Sequence, residues 1–364
     1  MRKTLTGLVA AGLVMALSAC GSSAGSSGKG IDANQGAVIG IAMPTKTQQR
    51  WVADGNNMVD QFTEMGYKVN LQYADNDVKR QVSQVRSMVD QGDKLLVIAA
   101  VDGSSMNSVL SAAAKKKVPV IAYDRLLTGT KDVDYQATFD NVRVGMMQGS
   151  LLVDRLGLTD GAAGPFNLEV FGGSGNDANS APFLKGSMMI LQPYITSGQL
   201  VIRTGETKLA QVSTLNWEGA AAAARMKRLL TQSYQHSRVD AVLAPNDGIA
   251  MAIIKVLTAD GYGTKANPLP VISGQDAELA SMKSIIAGQQ AGTIYKDTRE
   301  LAKATVQMGN ALLTGVKPMV NDTKTFNNGV KIVPTYLLPP ISVDKNNYKT
   351  LLVGGGYYTA AQLA

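Results

Sequence analysis

The 364-residue chain contains one cysteine, one histidine and two tryptophans. A single cysteine excludes an internal disulfide framework. One cysteine and one histidine also cannot supply the four nitrogen and sulfur ligands of a structural zinc site. His236 stands in Ser233-Tyr234-Gln235-His236-Ser237-Arg238, with no triad or metal pattern beside it, and suits an exposed helix C-terminus. No Walker A motif is present. Gly172-Gly173-Ser174-Gly175 resembles the start of a dinucleotide fingerprint, but Ala178 stands where the third glycine belongs. The paired acids Asp75 and Asp77, and Asp132 and Asp134, fall in turn-like stretches and select no two-carboxylate hydrolase. Charge is sparse as well, at 17% of residues, with a net +7. Without Arg2 and Lys3 the remaining 33 basic residues face 28 acidic ones, a net +5. The densest basic runs, 115–117 and 225–228, lie on or beside expected helices and read as solvated faces, which argues against a nucleic-acid partner.

The informative part of the N-terminus is short. Arg2 and Lys3 precede an apolar stretch over 5–17, followed by Leu17-Ser18-Ala19-Cys20. The stretch is too short to span a membrane and reads as a secretory signal over 1–19. Leu-Ser-Ala-Cys resembles the lipobox of bacterial lipoproteins. That resemblance implies diacylglycerol on Cys20, which becomes the mature N-terminus; more than one acyl chain makes a stable anchor. Residues 20–36, rich in Gly and Ser, read as a flexible tether. The protein is therefore expected outside the cytoplasmic membrane and attached to it.

Beyond the tether, short apolar runs alternate with helical patterns, and 45% of the whole chain is hydrophobic, enough for about two buried domains. Strands are expected over 37–43, 68–73, 94–100, 118–125 and 135–139, with helices between them. The helix over 78–91 carries Val78, Val82, Val85 and Val89 on one face. The alternation then restarts. Strands are expected over 167–171, 200–204, 241–244, 269–273, 292–295 and 330–334, and Trp217 is expected to open a helix reaching 232. A long helix is expected over 297–313. Such alternation implies parallel sheets with helices on both faces. In open α/β sheets, ligands bind beyond the carboxyl ends of the strands. Polar residues gather at those ends: Asp124-Arg125 after the run Val118-Pro119-Val120-Ile121-Ala122-Tyr123, Asn179 after the glycine loop, Asn246-Asp247, Asp276 and Lys296. Alternative roles stay open for several of them. Asp124 and Arg125 suit a structural ion pair, Trp51 and Trp217 suit a core, and Asn246 and Asp247 suit helix caps.

Several motifs together resemble the periplasmic-type monosaccharide-binding proteins of sugar ABC importers, in the xylose-binding and multiple-monosaccharide-binding branch. They are Ile39-Gly-Ile-Ala-Met-Pro-Thr-Lys46, Arg50-Trp51, Asp54-Gly-Asn-Asn57, Leu71-Gln-Tyr-Ala-Asp75, Val120-Ile-Ala-Tyr-Asp-Arg125, Ala137-Thr-Phe-Asp-Asn141, Ser273-Gly-Gln-Asp276 and Tyr295-Lys296. The resemblance covers nearly the whole chain from Ala37 onward. It implies the type I periplasmic binding protein fold, an α/β architecture of two doubly wound parallel-sheet lobes joined by a three-crossing hinge. Crossings are expected near Asn141, Lys296 and Val330. Residues 37–140 with 297–330 would form the first lobe, and 141–296 with 331–364 the second. Sugar contacts carried over by motif are Lys46, Arg50, Trp51, Asp124, Arg125, Asn179, Trp217, Asn246, Asp276 and Lys296, with Asp102 and Asp247 as further candidates. The resemblance further implies a monosaccharide of xylose, arabinose, glucose or galactose type, no cofactor or metal, no catalysis, ABC permease subunits as partners, and a monomer. The positive charges of Lys46, Arg50, Arg125 and Lys296 leave an acidic sugar open, while their pairing with the aspartates favours a neutral one. A sugar sensor that presents its loaded form to a chemoreceptor or sensor kinase is the alternative. The glycine loop reads Asn176-Asp177-Ala178-Asn179-Ser180-Ala181-Pro182 and departs from the paired asparagines and aromatics usual in the branch.

Overall fold

A computed structural model describes residues 36–364; the expected signal, the lipidation of Cys20 and the tether up to residue 35 lie outside the described residues. The first sheet is built in chain order from β1 (Val38–Met43), β2 (Lys68–Tyr73), β3 (Leu95–Ile98), β4 (Val120–Tyr123) and β5 (Tyr135–Phe139), with helices α1 (Gln49–Glu64), α2 (Val78–Gln91) and α3 (Asn107–Lys115) between them. All its pairings are parallel. Side-chain alternation sorts the buried residues onto two faces. Leu95 and Val97 of β3 pack with Trp51, Met58 and Phe62 of α1, whereas Leu96 and Ile98 pack with α2 and α3. Asp77 caps α2 by accepting from the Arg80 N–H, and Gly92 ends it in the left-handed region.

The second sheet has the order β7 (Leu200–Val201), β6 (Phe166–Val170), β8 (Ala241–Leu243), β9 (Val271–Ile272), again parallel throughout. Helices α4 (Asn141–Arg155) and α5 (Ser180–Thr196) cover one face and α7 (Gly219–Gln232) and α8 (Asp247–Ala259) the other, with the short α6 (Leu209–Val212) at the edge. After α9 (Leu279–Ile286), β10 (Thr293–Tyr295) leads into α10 (Thr298–Leu313), whose Leu301, Ala302 and Val306 pack in the first-sheet core.

The chain passes between the sheets three times: after β5, after β10, and at Pro339–Pro340. The third passage corrects the expected crossing near Val330. The last strand of the first sheet is β11 (Thr335–Leu338), parallel to β5, so residues 331–338 lie with the first sheet and not with the second. The expected strand over 330–334 is displaced for two reasons. Asn328 Oδ1 accepts from the Val330 and Lys331 N–H groups and holds them in a turn. Pro334 has no N–H to donate to a ladder, so pairing starts at Thr335. Beyond the prolines, β12 (Ile341–Val343) pairs antiparallel with β10, and the C-terminal α11 (Ala360–Leu363) places Leu363 in a core with Met282 and Ile285.

Helices α4 and α5 meet at glycines. A Cβ on Gly145 would land on the Phe183 carbonyl oxygen, and one on Gly186 on the Val142 carbonyl oxygen. This approach sets the start of α4, at Asn141, beside the start of α5. Gly186→Ala is therefore expected to force the helices apart and lower stability by about 3 kcal/mol, the upper part of the usual overpacking cost. Urea unfolding checks it; a variant as stable as the parent would refute the close-approach argument.

Candidate functional site

The N-terminus of α1 follows the carboxyl end of β1 and carries two site residues in its first turn. Arg50 is buried, 6% exposed, and meets three carboxylates. Its Nε lies 3.0 Å from Asp54 one helical turn on, a terminal nitrogen 3.0 Å from Asp124, and the other 3.6 Å from Asp276 of the second lobe. Burial opposes the guanidinium charge, but Asp124, Asp54 and Asp276 outweigh it and hold the Arg50 pKa well above the ordinary arginine value. Trp51 lies flat beneath two cations, with the Arg50 and Arg125 guanidiniums 4.3 and 5.0 Å from its ring centre. Its Nε1–H donates to Gln48 Oε1.

Asp124 and Arg125 end β4 and take separate partners, so the expected pairing of these neighbours does not form as such. Asp124 has φ 58, a left-handed conformation that turns its carboxylate toward Arg50. Its main-chain oxygen accepts from Thr138 Oγ1 and Gln136 Nε2 of β5, which fixes the turn. Burial pushes its carboxyl up, but Arg50, Lys296 and Arg125 outweigh this and hold it below the usual range. Arg125 reaches across to Asp177 of the glycine loop at 2.9 Å and donates to the Ala100 carbonyl.

From the second lobe, Asn179 Nδ2 donates to Asp124 Oδ1 at 3.0 Å, and its Oδ1 accepts from Asn141 Nδ2 at 2.8 Å. Trp217 ends a short 3₁₀ turn, Leu215–Trp217, ahead of α7 and does not open that helix; its φ is 61. Such a conformation costs a bulky residue roughly 1–3 kcal/mol. Its Nε1–H donates to Asp177 and its ring meets Phe183 edge-on, 6.1 Å between centres. Asp276 also has a positive φ, 96, and its carboxylate lies 2.9 Å from Lys296 Nζ. Asn246 both caps α8, accepting from the Ile249 N–H, and lines the cavity.

These residues enclose a cavity of about 20 Å³, roughly the space of one water, between the two lobes. Nine of the ten sugar contacts expected from sequence line it. Lys46 does not. The turn at Thr45–Thr47 leaves it exposed, its ammonium 5.0 Å from the Tyr73 ring centre. Asp102 is also elsewhere, its Oδ1 accepting from the Ser104 N–H and hydroxyl. Asp247 is buried behind the site, where it accepts from the Glu278 N–H, Gln290 and Thr293. Sequence reasoning missed Asp177, Phe183, Gln48 and Gln275 of the lining, and Asp54 behind it. Asp54 was open to detection as the i+4 partner of Arg50 on a helix. Phe183 carried no signal beyond ordinary helix periodicity.

Three acids around the site hold protons unusually well. Burial raises Asp54 to about 6 against the pull of Arg50. Burial, then the charge of Asp276, raises Asp247 to about 7. Burial, then Asp247 and Asp276, raises Glu278 to about 8.

A family model described as "Periplasmic binding protein domain" matches residues 39–317. The chain is 55% identical over 324 residues to the multiple sugar-binding periplasmic protein SbpA of Azospirillum brasilense, covering 89% of this chain and 90% of that one. It is 54% identical to the multiple sugar-binding periplasmic receptor ChvE of Rhizobium radiobacter, covering 89% and 92%. Among solved structures, an ABC transporter solute binding protein from Clostridium phytofermentans with bound β-D-glucose superposes with a TM-score of 0.86 at 44% identity, covering 90% of this chain and 100% of that one.

The raised acids set a pH dependence. Each binds its proton more tightly in the folded than in the unfolded chain, so folding takes up protons between the ordinary carboxyl pKa and about pH 8. Stability therefore falls as pH rises through that window. The melting temperature is expected to be higher at about pH 5 than at about pH 8.5, and Glu278→Gln to flatten the upper part of the slope. An unchanged slope in that variant would overturn the assignment.

Proposed function

The chain belongs to the periplasmic binding protein family, and from that premise we propose that it captures a neutral monosaccharide of glucose or galactose type by hinge closure and delivers it to an ABC permease. The carrying observation is the cavity itself. Carboxylates, amides and guanidiniums from two lobes converge there over the rings of Trp51, Phe183 and Trp217. A sugar presents apolar C–H faces and a belt of hydroxyls. Aromatic rings cover the faces, and ionised groups bond the hydroxyls in fork geometry. The titratable groups lining the cavity are Arg50, Arg125 and Lys296 against Asp124, Asp177 and Asp276. Their charges balance, so a neutral ring leaves none unmatched.

The first lobe presents Arg50, Trp51, Asp124 and Arg125, and the open protein receives the sugar on them. Closure then brings Asp177, Asn179, Trp217, Asn246 and Asp276 over it, with Lys296 at the hinge. The closed shape is what the permease subunits read. The protein acts as a monomer and performs no chemistry on its ligand. The lipobox-like Leu17-Ser18-Ala19-Cys20 supports anchoring to the outer face of the cytoplasmic membrane. A second reading, in which the loaded form also engages a sensor, is favoured by the word "receptor" in the name of the 54% identical relative.

Calorimetry with D-glucose, D-galactose, D-xylose and L-arabinose is expected to show one-to-one binding of at least one hexose, with no turnover on incubation. Asp124→Asn should weaken it by roughly 10- to 100-fold, the loss of a charge-assisted hydrogen bond worth about 1.5–3 kcal/mol. Unchanged affinity in a folded Asp124→Asn protein would remove Asp124 from the site. Cys20→Ser is expected to move the protein from the membrane to the soluble fraction; retention on the membrane would reject the anchor.

A further inference from the structure

A second cavity abuts the first and shares two residues with it, Arg50 and Asp276. Its volume is about 360 Å³, within the roughly 300–1,000 Å³ of small-molecule sites. It lies between the lobes. Gln49, Ala53 and Asn57 line it from α1 of the first lobe, and Glu278, Tyr357 and Tyr358 from the second. The lining has the chemistry of a polyol site, with amides and a carboxyl group beside phenol rings. Glu278 is half-buried, and no hydrogen bond joins its side chain to another described residue. The tyrosines are held in place. Tyr357 packs edge-on between Tyr295 and Tyr358, at 4.8 and 4.9 Å, and carries the Arg299 guanidinium on its face. Tyr358 donates to the Ala277 carbonyl.

The partition between the cavities is the longest ion pair of the sugar site. Arg50 and Asp276 stand 3.6 Å apart, beyond hydrogen-bond distance. We propose that this second cavity receives the substituent of a glycoside, a second sugar ring or a small aglycone, whose first ring occupies the sugar site. The glycosidic oxygen would pass between Arg50 and Asp276. The proposal rests on the monosaccharide reading above and extends its substrate class from free sugars to short glycosides. Because both lobes line the cavity, the substituent is gripped only in the closed form, and its contacts favour closure.

Calorimetric titration with D-glucose, methyl α- and β-D-glucopyranoside, maltose and cellobiose tests it. At least one glycoside is expected to bind within about tenfold of glucose. Gln49→Trp, which fills the second cavity from an exposed helical position, should weaken that glycoside by more than about tenfold and glucose by less than about twofold. Ala53→Leu serves as a second filling variant. Glucose binding with no glycoside binding overturns the proposal and leaves the monosaccharide reading standing, as does equal weakening of both ligands in the two filled variants. Failure of every sugar to bind overturns the monosaccharide reading and the extension with it.

Discussion

The structure depends on keeping the Arg50 charge paired while out of water. A buried guanidinium without partners carries a penalty of several kcal/mol, and its carboxylate partners carry one of their own. Here the partners come from three places in the chain: Asp54 on the same helix, Asp124 at the end of β4, and Asp276 beyond β9 in the other lobe. The first two are within one lobe and keep Arg50 matched whatever the second lobe does. The third reaches it across the cleft from the second lobe. Arg50 is thus a preformed part of the first-lobe surface and also the point where the second lobe's charge arrives.

The fold delivers the remaining groups by one repeated device. Strands end on the cleft side, and polar residues follow several of those ends: Asp124 directly after β4, Lys296 directly after β10, and Asn246 and Asp276 a few residues beyond β8 and β9. Several of the cleft-lining residues need unusual backbone, with Asp124, Trp217 and Asp276 all at positive φ. Strain of this kind survives only where the surroundings over-determine it. Thr138 and Gln136 hold the Asp124 carbonyl, and the Asp276 N–H donates to the Ile294 carbonyl. On the second lobe, the glycine contact between α4 and α5 sets Asn141 against Asn179, which in turn reaches Asp124. A packing constraint between two helices is thereby passed to the site through a pair of amides.

Much of this was legible in the sequence because it follows from local pattern. Runs such as Leu95–Ile98 are bounded by breakers and buried on both faces, which identifies parallel strands, and the residues at their ends were readable as a site on that ground alone. What escaped has physical reasons. Asp124 and Arg125 are neighbours in sequence, but a left-handed residue sends their side chains to different partners, and no spacing rule reveals φ. Asp177 was hidden in a loop whose conformation is set by Trp217 and Arg125, both distant in the chain. The third crossing was misplaced because Val330 and Ile332 look like strand residues, although a turn held by Asn328 leaves both exposed. Lys46 lay in a matching motif, yet the turn after β1 directs it to solvent.

The small volume of the sugar cavity has an energetic consequence. With about 20 Å³ enclosed, admitting a ring requires the lobes to part and the cross-cleft contacts Arg125–Asp177, Arg50–Asp276 and Asn179–Asp124 to open. Under the proposed reading, the same atoms then bond to hydroxyls, so the ligand replaces ion pairs with hydrogen bonds to charged groups. Buried ion pairs come close to breaking even against their desolvation, so the exchange of polar partners is close to balanced. Under that same reading, the surplus that draws the lobes together over a sugar then comes from apolar burial of its C–H faces against Trp51, Phe183 and Trp217, less the cation contacts that Arg50, Arg125 and Lys296 already make with Trp51 and Phe183. On this view the charged groups set which hydroxyls are accepted, and the rings supply the driving force for closure.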